Sequence, residues 1–82
     1  MFPKPYTVLL KRVAMHQYAQ VTLYADNVQM AAHEAMMIAA RQLDTAPQTI
    51  FPFAVFEGFF HDLLKSEQLV TIDRKSTRLN SS

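Results

Sequence analysis

Glu57, His61 and Asp62 are the closest grouping of carboxylates with an imidazole in this 82-residue chain, and they surround Gly58, its single glycine. A carboxylate and an imidazole brought together can ligate a divalent metal or share a proton, with Asp62 orienting a ring nitrogen of His61. The same residues equally form a polar turn between two apolar segments, with Asp62 capping a helical turn. So short a motif favours that plainer reading. Neither a resident metal nor a cofactor is expected.

Other chemistries find less to work with. His33 and Glu34 start like the zinc-protease helix motif, which requires a second histidine four residues after the first, and that position holds Met37. His16 reads as a loop residue. The chain has no cysteine, which rules out a disulfide framework, thiolate metal sites and a thiol nucleophile. One glycine cannot build a glycine-rich phosphate loop, and Ser66 lacks the context of an activated nucleophile. The chain therefore reads as non-enzymatic, with a small metal- or acid-base-dependent enzyme using Glu57, His61 and Asp62 as the alternative.

The elements that would carry these residues follow from periodicity. Pro3 and Pro5 favour extended backbone, and residues 6–13 are rich in β-formers, giving a first strand. Residues 15–17 contain no Gly, Pro or Asn, so an ordinary turn of several residues is expected there rather than a tight hairpin turn. Ala19, Val21, Leu23 and Ala25 then alternate with Tyr18, Gln20, Thr22 and Tyr24, the pattern of a half-buried strand. Asp26 and Asn27 supply helix-capping acceptors, and a helix is expected over residues 28–43, with Val28, Ala31, Ala32, Ala35, Ile38, Ala39 and Leu43 on its sheet-facing side. Met30, Met36 and Met37 read as core filling rather than as an adaptable binding stripe. Pro47 ends the helical segment, and residues 53–57 form a third strand that Pro52 confines to an edge or opens. Residues 59–64 begin either a fourth strand or a short helix.

The order β-β-α-β implies an α+β fold: a small antiparallel sheet in order 2-1-3, with room for a short fourth element and one helix packed on one face. Tyr18 and Tyr24 then lie on the face that the helix does not cover. Exposed aromatics on an open sheet stack bases or pack against protein. Lys11 and Arg12 are adjacent on a strand, so they point to opposite faces and make no basic patch.

Residues 73–82, DRKSTRLNSS, resemble the translation of a short-read sequencing adapter, GATCGGAAGAGCACACGTCTGAACTCCAGT, codon for codon. Residues 1–72 are then a single domain missing its natural C-terminus, and 73–82 a non-native, disordered tail. Setting the tail aside leaves five basic and six acidic residues, so the formal charge becomes −1 in place of the whole chain's +1. A near-neutral chain has no field to steer a polyanion, which makes a nucleic-acid-binding accessory domain the weakest alternative. A protein partner or a second copy of the chain is the expected contact for Tyr18 and Tyr24. No apolar stretch is long enough to span a membrane, and a cytoplasmic location is the default expectation.

Two strands followed by an alanine-rich helix that starts after Ala25, Asp26 and Asn27, and then a strand, is similar to small bacterial and mobile-element proteins, including the antitoxin-like HicB group. The resemblance spans residues 6–43. HicB-type domains place three strands before the helix where two are evident here, and no functional residue is carried over.

Overall fold

The computed structural model describes residues 3–15, 17–60, 63 and 69–73. The chain opens with a hairpin of β1 (Lys4–Arg12) and β2 (Gln17–Ala25), joined through a 3-10 turn at Val13–Met15. Their antiparallel register sets Tyr6, Val8 and Leu10 opposite Leu23, Val21 and Ala19 on one face, and Thr7, Leu9 and Lys11 opposite Thr22, Gln20 and Tyr18 on the other. The strand alternation in the sequence is thus the alternation of the sheet.

Helix α1 (Val28–Gln42) starts where Asn27, itself extended, accepts the Met30 N–H on its side chain at 2.9 Å. It ends in a Schellman-type cap, with Asp44 in the left-handed region (φ 56°), Thr45 N–H donating to Ala40 O at 2.9 Å and Asp44 N–H to Arg41 O at 3.2 Å. The row Ala31, Ala35, Ala39, with Ala40, is buried against β1, β2 and β3. With no side chain beyond Cβ, this row lets the helix lie close on the sheet. The sheet-facing side differs from expectation at its start: residues 28–30 are all exposed, Val28 included, so the helix engages the sheet only from Ala31. Of the three methionines, Met36 packs against the core, while Met30 and Met37 are exposed.

Strand β3 (Ile50–Glu57) follows a 3-10 turn at Pro47–Thr49 and pairs antiparallel with β1. The register shifts between Leu9, opposite Ala54, and Leu10, opposite Pro52, leaving Phe53 as the extra residue of a bulge. The strand begins three residues before the expected start because Pro52 needs no hydrogen bond on the outer side of an edge strand. Strand β4 (Leu69–Asp73) lies parallel to β2, from Tyr18 opposite Leu69 to Thr22 opposite Asp73, the first residue of the segment that resembles adapter.

The protein is an α+β domain with a four-stranded sheet of order β3-β1-β2-β4 and one helix on it. The expected 2-1-3 arrangement is present. β4 adds a parallel neighbour beyond β2, so the sheet is mixed rather than wholly antiparallel. Phe59, Phe60 and Leu63, the described residues of segment 59–64, form neither strand nor helix. The core between helix and sheet gathers Tyr6, Val8, Leu10, Val21, Leu23, Ile50 and Ile72 with the helix alanines. Burying a side chain such as Leu10 is worth about 1.5–3 kcal/mol. Among the described residues no helix is long and apolar enough to cross a membrane.

Candidate aromatic contact face

The second face of the sheet, away from α1, carries Thr7, Leu9 and Lys11 from β1 and Tyr18, Gln20, Thr22 and Tyr24 from β2. Opposite them on β3 come Phe51, Ala54 and Phe56, and the bulge turns Phe53 toward the same side, where its ring meets Tyr18. The sequence implies that this face is uncovered. The structure corrects that for one end: Thr7 and Gln20 are 0% and 2% exposed, because the chain after β3 turns back across them.

Gly58 makes that turn with φ 118°, a conformation that L side chains rarely adopt. Its N–H donates to Pro5 O at 2.8 Å, and a Cβ placed on it would meet the Phe60 ring at 3.0 Å. The Thr7 hydroxyl donates to Gly58 O at 2.7 Å and accepts the Phe60 N–H at 3.0 Å, so one side chain satisfies a backbone acceptor and a backbone donor together. Gln20 Nε2 donates to Phe60 O at 3.1 Å, while its buried Oε1 has no hydrogen-bond partner among the described residues. Ring contacts reinforce the crossing: Tyr24 with Phe59 at 5.1 Å and Phe56 with Phe60 at 6.2 Å, both edge-to-face.

The Lys11 end of the same face is different. Tyr18 meets Phe53 edge-to-face at 6.2 Å, and Lys11 Nζ stands 5.9 Å from the centre of the Tyr18 ring. Phe51 and Phe53 are exposed there, Phe51 to 59%, and Phe56, opposite Thr7 and against Phe60 at the closed end, is still 40% exposed. Tyr18 and Tyr24 do share a face as the alternation requires, but they sit at opposite ends of it. Tyr18 belongs to the open aromatic end, and Tyr24, still 39% exposed, packs on Phe59 at the closed one. The sequence suggests one third-strand aromatic near these tyrosines, a place Phe53 takes beside Tyr18, but not three phenylalanines on one face, because the bulge at Phe53 breaks the alternation that would have aligned them.

The carboxylate and imidazole grouping is only partly visible. Glu57 is exposed at the end of β3, opposite Tyr6 and so on the helix side of the sheet, whereas His61 and Asp62 lie outside the described residues, as do His16 and Ser66. No group of three His, Cys, Asp or Glu side chains able to hold a metal occurs among the described residues. His33 and Glu34 are exposed on the outer side of α1, where with Gln29 and Met30 they line a shallow depression. The register places Lys11 on the second face, opposite Tyr18, and Arg12 on the helix side, opposite Ile50. Compared with protein-family models, curated proteins and solved structures, the chain matches none.

Proposed function

We propose that this chain is a non-enzymatic domain that works by protein contact, with self-association as its simplest form. The contact is made by the open end of the second face together with the edge of β3. The observation that carries this reading is the set Phe51, Phe53 and Phe56, three exposed aromatic side chains on one edge strand whose only charged residue is the terminal Glu57. Clustered exposed aromatics of this kind mark contact surfaces, and an edge strand adds a row of unpaired backbone groups beside them. Protein is favoured over nucleic acid because Lys11 is the one basic residue on this face among the described residues.

Sedimentation velocity on the full chain over three decades of concentration tests the reading. A sedimentation coefficient that rises with concentration, and stops rising in the Phe51→Ser, Phe53→Ser variant, is the expected result. A chain that stays monomeric throughout, or a variant that associates as well as the parent, would overturn it. Loss of association only at high salt would instead point to charge-driven contact, and thus away from the aromatic face.

A further inference from the structure

The edge of β3 has an unusual hydrogen-bonding polarity. Gly58 N–H donates to Pro5 O, which fixes the alternation of the β1–β3 ladder: Phe56 and Ala54 direct their backbone groups toward β1, and Glu57 and Val55 direct theirs outward. Beyond the bulge, Pro52 and Ile50 stand opposite Leu10 and Arg12, and the same alternation along β1 turns their groups outward too. Of these four outward residues, Pro52 has no N–H and the Ile50 N–H already donates to Pro47 O. The first half of the outer edge therefore offers acceptors only. Its donors without a partner among the described residues, the N–H groups of Val55 and Glu57, lie in the second half.

We infer that this edge pairs with the same edge of a second copy, antiparallel about a twofold axis, with Phe53 of one chain opposite Ala54 of the other, so that two four-stranded sheets become one of eight. This rests on the proposed self-association and specifies its geometry. In that register Glu57 faces the partner's Ile50 and Val55 faces the partner's Pro52, so each donor half meets an acceptor half twice over. A self-complementary patch of this kind is what twofold symmetry demands. The faces agree as well. The bulge makes the sequence of sides palindromic: Ile50, Pro52, Val55 and Glu57 lie on the helix side, and Phe51, Phe53, Ala54 and Phe56 on the second face. The pairing therefore joins Phe51 to the partner's Phe56 on the second face, and both rings lose exposure in a cross-strand aromatic pair. Without the extra residue at Phe53, this register would set helix-side residues against second-face residues.

Charge fits the same register. Glu57 stands opposite the partner's Ile50, whose neighbour on β1 is Arg12, so a carboxylate and a guanidinium come onto one face two strands apart, about 10 Å between backbones. Like charges do not meet, since Glu57 is the only charged residue of β3.

Cysteine trapping on the full chain tests the register, because the chain has no cysteine of its own. When a Phe51→Cys chain is mixed with a Phe56→Cys chain, position 51 of one copy faces position 56 of the other, while both Phe53 rings and the second Phe51–Phe56 pair are kept. Mild oxidation is then expected to yield a covalent heterodimer closed by one intermolecular bridge. Each variant alone should stay uncrosslinked, because positions five residues apart along a strand are about 16 Å apart, well beyond the roughly 7 Å that a disulfide spans. The Glu57→Pro variant removes one donor per copy without touching a bond to β1, and should weaken dimerisation about tenfold or more. Single variants that crosslink alone as readily as the mixture, a mixture that stays uncrosslinked while the parent associates, or a Glu57→Pro chain that dimerises like the parent, would overturn the register while leaving self-association standing. A parent chain that never associates, with a mixture that never crosslinks, would remove both.

Discussion

On the helix side of the sheet the buried residues are aliphatic or alanine apart from Tyr6, and a row of three alanines seats the helix. Across the same strands, the second face is closed at one end by three hydrogen bonds, two donated by Thr7 and Gln20 to Gly58 O and Phe60 O and one accepted by Thr7 from the Phe60 N–H, and left aromatic and open at the other. The first interface is continuous and non-directional, so it tolerates small shifts and draws its strength from area. The second depends on a few oriented groups, each of which leaves a buried partner unsatisfied when removed. One sheet thus carries a surface that holds the fold and a surface whose closed and open ends can be altered separately.

Substitutions can break this contrast in graded steps. Leu10→Ala empties a fully buried position on the helix side and should cost about 2–5 kcal/mol, the largest effect, seen in denaturant unfolding as a lower midpoint with the slope unchanged. Thr7→Val keeps the shape but orphans Gly58 O and Phe60 N–H together; about 1–3 kcal/mol is expected, and Thr7→Ser should recover most of it. If Thr7→Val proves neutral, hydrogen bonding does not close the second face. Gly58→Ala places a Cβ against the Phe60 ring at a positive φ and should cost about 1–3 kcal/mol, accompanied by faster hydrogen exchange at the Phe60 amide than at Val21. Lys11→Met at the open end removes only the cation over Tyr18, for about 0.5–1 kcal/mol or less, and a thermal melt should barely move. A large loss there would show that the open end also supports the fold.

The helix side was legible in the sequence because its signals are periodic. Alternation placed Ala19, Val21 and Leu23 together, and Asn27 marked the start of α1 at Val28, where the structure has it. The pairing of β3 with β1 followed from the element order. The second face was less legible for a physical reason: Thr7 and Gln20 look like solvent-facing strand residues until an irregular segment supplies their partners, and no local pattern announces that segment. Gly58 was the one visible mark of it. Strand β4 has only five residues, too few for periodicity to separate strand from other structure, and its pairing is with a strand some fifty residues earlier. The palindrome of β3 was hidden by the bulge, which a sequence read with strict alternation cannot show.

The strand order also dictates a timetable. The two central strands, β1 and β2, are neighbours in the chain and meet through a short turn, whereas both outer strands arrive from far along it. Loop closure makes distant pairings slow relative to a hairpin, so the β1–β2 ribbon should assemble first and wait with both flanks unoccupied. φ-Value measurement would show this as high values at Val8 and Val21 and low ones at Val55 and Ile72. During that wait the ribbon is a template on either side, and the order in which β3 and β4 dock decides whether a growing chain completes itself or captures a strand from its neighbour.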